Sequence, residues 1–146
     1  MKEQEQGFTL IELITVMILL GVVSITLFSR IGSAGTAPIQ SGRDDLIAAL
    51  FFAQQQAMMR SNITLAFTSN SISVNESGAP IVGTPYPLAM PAGVTLTANP
   101  NSIPFSLAYD KLGRTTAVTI TLTGSGNSSG VSATIQIEAS GYAYAQ

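Results

Sequence analysis

The 146-residue chain has no cysteine and no histidine, and only 10% of its residues are charged. The lack of cysteine leaves no disulfide framework and no clue to redox compartment. Together the two absences remove the usual soft-metal ligands and the commonest acid–base side chain; no metal or other cofactor is expected. Charge is sparse and balanced. From Ser29 onward, Arg30, Arg43, Arg60, Lys111 and Arg114 stand against Asp44, Asp45, Glu76, Asp110 and Glu138. Such a neutral surface has no general attraction for nucleic-acid backbones or anionic lipid. What is abundant is Ser, Thr, Asn and Gly over the latter two thirds, the composition of a strand-and-turn domain facing an exterior medium. The length suits one domain plus an accessory segment, and the 118 residues from Ser29 suffice for a modest core without metal or disulfide.

The accessory segment is MKEQEQGFTLIELITVMILLGVVSITLF. From Phe8 to Phe28 there are 21 residues: fifteen strongly apolar, four hydroxylated, Gly21 and Glu12. As a helix it reaches roughly 30 Å, the thickness of a bilayer's hydrocarbon core. A secretory signal places its small-residue cleavage site after the apolar run, whereas here Gly7 precedes it and Ser33-Ala34-Gly35 lies beyond Arg30. Glu12 is the sharper feature. A carboxylate in lipid costs several kcal/mol unless it sits shallow or finds a partner. The fifth position of a spanning helix is shallow enough to stay wet. A positive charge supplied by another component of the membrane or assembly is the other solution. Cleavage between Gly7 and Phe8 would create such a charge as a new α-amino group.

Gly7-Phe8-Thr9-Leu10-Ile11-Glu12-Leu13 resembles the cleavage-and-methylation signature of type IV pilins and of the pseudopilins of type II secretion. The resemblance covers roughly the first 25 residues and rests on junction, glutamate offset and apolar helix together. It implies a prepilin peptidase that cuts after Gly7 and N-methylation of Phe8. It also implies a helix that leaves the inner membrane to pack in a filament with other pilins or pseudopilins. Glu12 would pair with a neighbour's terminal amine and help set axial register, a use suited to a buried ion pair.

Downstream, IGSAGTAPIQSG (31–42) carries three glycines and Pro38 and is expected to break a helix. Ser41-x-x-Asp44 has the form of a capping box for a new helix. Leu46, Ile47, Leu50, Phe51, Ala53, Ala57 and Met58 recur at helical spacing through about Arg60, the pattern of a domain helix's inner face. After Asn62 the period falls to two. Strands are expected around Ile63–Phe67, Ile72–Val74, Val94–Leu96, Phe105–Tyr109, Val118–Leu122, Ala133–Ile137 and Tyr142–Tyr144. The segment from Glu76 to Gly93, with four prolines, reads as a long exposed loop, and GSGNSSG (124–130) as a flexible hairpin tip.

Leu46-x-x-x-Leu50-x-x-Ala53-x-x-x-Ala57-x-x-Arg60 with an immediate strand resembles the minor pseudopilin family GspH/FimT. Phe105 through Arg114 and Ile-x-Ile-x-x-x-Gly-Tyr (Ile135 to Tyr142) fit the same pattern. Gln54 departs from it, because the family often has arginine there. Ala-Gln-Gln-Gln-Ala-Met is similar to minor pilins of mannose-sensitive haemagglutinin (MSHA) pili. Some relatives bind DNA through basic residues near the carboxyl end; the last thirty residues here hold none, so no nucleic-acid role is expected.

Other motifs have plainer explanations. The sequons at Asn62, Asn75 and Asn127 arise readily in so Ser/Thr-rich a chain, and the Gly124–Gly130 stretch lacks the context of a phosphate loop. Asp44 and Asp45 suit a helix start. Lys111 sits in an expected turn, a poor setting for Ser–Lys catalysis.

The expected fold is α+β: a long N-terminal hydrophobic helix of pilin type, then a short helix packed on an antiparallel β-sheet or sandwich. The expected segments are a leader at 1–7, a transmembrane and polymerisation helix at 8–30, a joint at 31–43 and a soluble domain at 44–146. The expected role is non-catalytic: a minor pilin or pseudopilin precursor, single-pass in the bacterial inner membrane and then in a pilus or pseudopilus in the periplasm or at the cell surface, at or near its tip. A single-pass anchored binding domain that never polymerises is the alternative.

Overall fold

The computed structural model describes residues 9–31 and 35–146, with side chains at 9–24 and 35–146. It divides into two compact units, Met1–Ala34 and Gly35–Gln146. The first holds helix α1, Leu10–Ile31. Thr9 starts it: its carbonyl accepts the N–H groups of Glu12 (3.1 Å) and Leu13 (3.2 Å), and its hydroxyl lies 3.3 Å from the Glu12 N–H. A polar residue is therefore positioned to satisfy first-turn donors that the helix itself leaves without partners.

The second unit is built around helix α2, Ala37–Met59. It begins earlier than the glycines, Pro38 and the Ser41–Asp44 capping pattern lead one to expect. The physical reasons are visible in the structure. Pro38 occupies the first turn, where its missing N–H costs nothing. Gly42 is buried inside the helix, and a Cβ there would come within 3.2 Å of Leu122 Cδ2 and 3.4 Å of Pro91 Cδ. Tertiary contact thus uses the glycine that local propensity reads as a breaker. Asp44 pairs with Arg43 at 2.8 Å instead of closing a capping box.

Two antiparallel sheets receive α2. One runs β3 (Ala79–Pro80), β2 (Ser71–Glu76), β1 (Ile63–Phe67), β6 (Phe105–Ala108), with β4 (Leu88–Ala89) also on β2; the other runs β5 (Val94–Asn99), β7 (Val118–Gly124), β8 (Ser132–Ile137), β9 (Ala143–Ala145). In the first, β1 (Ile63–Phe67) and β2 (Ser71–Glu76) form a hairpin in which Leu65 faces Val74 and Phe67 faces Ile72. The edge strand β6 (Phe105–Ala108) pairs with β1, stacking Phe105 on Phe67 at 4.8 Å. In the second sheet β7 (Val118–Gly124) lies between β5 (Val94–Asn99) and β8 (Ser132–Ile137), and β9 (Ala143–Ala145) closes the edge. Period-two alternation sends Val118, Ile120, Leu122, Ile135 and Ile137 inward. They meet Leu46, Ala49, Leu50, Ala53 and Ala57 of α2, which packs on both sheets.

The proline-rich stretch is more structured than a wholly exposed loop. It contains β3 (Ala79–Pro80) and β4 (Leu88–Ala89), and it buries Ile81, Tyr86 and Met90. Tyr86 sits against Phe52 with ring centroids 5.4 Å apart. Sparse apolar residues between turns carry no period, which is why this attachment escapes a reading by periodicity. The 124–130 tip holds a short 3₁₀ turn, Gly126–Ser128, that buries Ser128. A Cβ on Gly124 would collide with the Ser128 carbonyl oxygen, so a glycine is needed for that close approach.

Candidate functional site: the N-terminal helix and the Gln54 junction

Large apolar side chains are exposed all round the described part of α1, from Leu10 and Ile11 to Val22 and Val23. A helix apolar on every side is one whose surroundings are apolar. Its polar groups do not oppose that. The Thr15 hydroxyl donates to the Ile11 carbonyl at 2.8 Å and the Ser24 hydroxyl to the Leu20 carbonyl at 2.6 Å. Both hydroxyls therefore carry a partner within the helix, as an environment without water demands. Glu12 is the exception: it is exposed in the first turn and its carboxylate makes no ion pair among the described residues. The helix dipole favours an anion there but does not replace a counter-ion in an apolar medium. Gly7 and Phe8, the expected processing pair, lie outside the described residues. So do the side chains of residues 25–34, and among the described residues no helix is long and apolar enough to cross a membrane.

A second focus lies on the domain. The Gln54 Nε2 amide donates to the Gly113 carbonyl at 3.1 Å and approaches the Ser140 carbonyl at 3.4 Å. One side chain of α2 thus ties down both the turn after β6 and the turn before β9. Gly113 (φ +74°) and Gly141 (φ +85°) are left-handed, and a Cβ at Gly141 would clash with the Gly113 carbonyl oxygen. The 110–114 turn is held from the other side. The Asp110 carboxylate accepts the Leu112 and Arg114 N–H groups, both at 2.9 Å, and Arg114 Nε at 2.8 Å. Hydrogen bonds from Arg114, backbone first and then side chain, hold the Asp110 carboxyl below its ordinary value of 3.8. Where the sequence comparison leaves Gln54 without a role, the structure supplies one. Only its neighbours in space, far away in sequence, could have revealed it.

An open recess of about 530 Å³ lies beside this turn, lined by residues that include Tyr109, Asp110, Arg114 and Thr115. Asp110 is engaged with Arg114 and the Thr115 hydroxyl with the Ala108 carbonyl at 2.7 Å, whereas the buried Tyr109 hydroxyl has no hydrogen-bond partner among the described residues. Burial pushes the Tyr109 phenol well above its usual range, so it stays a neutral hydroxyl. Lys111 has no hydrogen bond to a serine among the described residues. Among those residues no three Asp or Glu side chains gather in a metal-binding group.

With this geometry in view, comparison with known proteins gives a consistent result. Residues 4–28 match the prokaryotic N-terminal methylation motif. No curated protein matches the chain. Among solved structures, the chain is similar to two crystal forms of the type IV minor pilin FimU of Pseudomonas aeruginosa. For one the identity is 15%, with 73% of this chain and 91% of that chain covered and a TM-score of 0.55. For the other the values are 16%, 74%, 87% and 0.56. The class defined here is a pilin-like α+β protein, two helices and antiparallel sheets, with a prepilin-type motif at its start. More particularly, its fold is that of a type IV minor pilin.

Proposed function

We propose that the chain is a minor pilin or pseudopilin precursor. Its leader, residues 1–7, is removed by a prepilin peptidase after Gly7, and Phe8 becomes the N-methylated first residue. The segment at 8–30 anchors the precursor in the inner membrane and afterwards packs among the helices of a filament, either a type IV pilus of MSHA-like kind or a type II secretion pseudopilus. There it serves as a structural subunit at or near the tip. Glu12 pairs with the terminal amine of a neighbouring subunit.

The observation that carries this reading is the combination in the described part of α1: apolar side chains exposed all round, the Thr15 and Ser24 hydroxyls satisfied within the helix, and one carboxylate without a counter-ion among the described residues. A lipid bilayer and a bundle of like helices both suit the apolar surface. Only the second also supplies a cation at the right depth, because trimming places an amine four residues from Glu12 on every subunit. Mass spectrometry of protein extracted from the native envelope tests it. A start at methylated Phe8 is expected. A start at Met1 would replace the reading by that of an anchored domain that never polymerises. Glu12→Val is expected to leave membrane insertion intact and to abolish incorporation, scored by co-sedimentation with filaments.

A further inference from the structure

In the domain, six large apolar side chains stand out as exposed: Phe51, Met58, Met59, Val82, Leu112 and Tyr142. Four of them, Phe51, Met58, Leu112 and Tyr142, lie on chain segments that meet at the Gln54 junction. Phe51 and Met58 flank Gln54 at one helical turn on either side. Met58 Cε reaches Gly113, the residue after Leu112, and Gln54 bonds the carbonyls of Gly113 and Ser140, two residues before Tyr142. The left-handed glycines and the Asp110 cage fix the backbone beneath them. The result is an apolar patch on a braced junction.

We infer that this patch docks the domain onto the domain of a neighbouring pilin-type subunit in the same filament, an inference that rests on the function proposed above. Two observations select this occupant. The first is charge. Three of the domain's four basic side chains are held in internal ion pairs, Arg43–Asp44, Arg60–Glu76 and Arg114–Asp110. Little is left for recognising a charged partner, and apolar contact is what the surface offers. The second is area. Four large side chains, each about half exposed at about 200 Å² apiece, present roughly 400 Å². That is half of the about 800 Å² per partner that a stable free complex buries. The patch suits a partner already held close by another contact, and helix packing in a filament supplies such an effective concentration.

The test uses the full chain in its native envelope, with p-benzoylphenylalanine placed at Met58 or Leu112 and, as a control, at Val82. Val82 is 97% exposed and follows β3, at the opposite edge of its sheet from β6. Photo-crosslinks from positions 58 and 112 to a pilin-type subunit, absent at 82, are expected. Crosslinks to a protein of another class, none at all, or equal yield at 82 would overturn the inference. Because the chain has no cysteine, Met58→Cys gives an independent check. A disulfide between two copies through this position would mean a symmetric, patch-to-patch dimer, which overturns a head-to-tail filament contact. The pair Met58→Ser and Leu112→Ser should lower co-sedimentation with filaments about tenfold. Its thermal midpoint should hold, since both side chains are more than half exposed. Full recruitment of the double variant would sink the docking role alone. Failure of the unaltered chain to co-sediment would sink the filament reading itself.

Discussion

The two helices are almost equal in length, 22 residues in α1 and 23 in α2, yet they solve opposite problems. Helix α2 is amphipathic within one domain: Leu46, Ala49, Leu50, Ala53 and Ala57 are buried on two sheets, while Asp44, Phe51, Gln55 and Met58 are exposed. Its partner is the rest of the same chain. In α1 the apolar surface goes all round and the described side chains are exposed. Hydrophobicity alone does not distinguish a core helix from an assembly helix; the angular distribution of apolar residues does.

Substitution can break this contrast, and the largest effect should come from the core. Leu50→Ala leaves a cavity between α2 and the sheets and should destabilise the domain by about 2–5 kcal/mol, measured by denaturant unfolding. Leu19→Ala, at 59% exposure in α1, should leave the same transition in place. Equal losses would erase the distinction drawn between the two helices. Next comes Gly141→Ala, which puts a Cβ into the Gly113 carbonyl and strains a left-handed residue, at about 1–3 kcal/mol. Gln54→Ala should follow at about 0.5–1.5 kcal/mol. Its hydrogen-exchange signature sharpens the comparison: amides of β9 and the 110–114 turn should lose protection while those of β7 keep theirs.

The smallest effect is electrostatic. The folded state holds the Asp110 carboxyl below its unfolded value near 3.8, so its contribution to stability is present above that value. It is lost as pH falls through the lower folded-state value. Asp110→Asn should therefore flatten the acid limb of a thermal-midpoint profile below about pH 4 and change little at neutral pH. An unchanged acid limb would show that the cage around Asp110 contributes nothing to folding.

Much of the fold is legible in the residues themselves. Period two marks the main strands, and helical spacing from Leu46 to Met58 marks the body of α2, because each element buries one face. The same logic fails where burial lacks a period. Pro38 and Gly42 belong to α2 although both usually end helices, and Ile81, Tyr86 and Met90 enter the core from a segment read as an exposed loop. The N-terminal methylation motif is legible because it is one continuous stretch of chain, residues 4–28. The Gln54 junction is not, because it unites positions 54, 113 and 140.

The linear order of residues is enough to determine α1 and its one anion: a continuous apolar helix follows from neighbours in the chain, and Glu12 is conspicuous against them. Only the tertiary structure decided where α2 starts, how the proline-rich stretch is attached, and which turns meet at Gln54. Those outcomes depend on contacts between residues far apart in the chain, where a missing Cβ or a single amide donor has meaning only once its neighbours in space are in place.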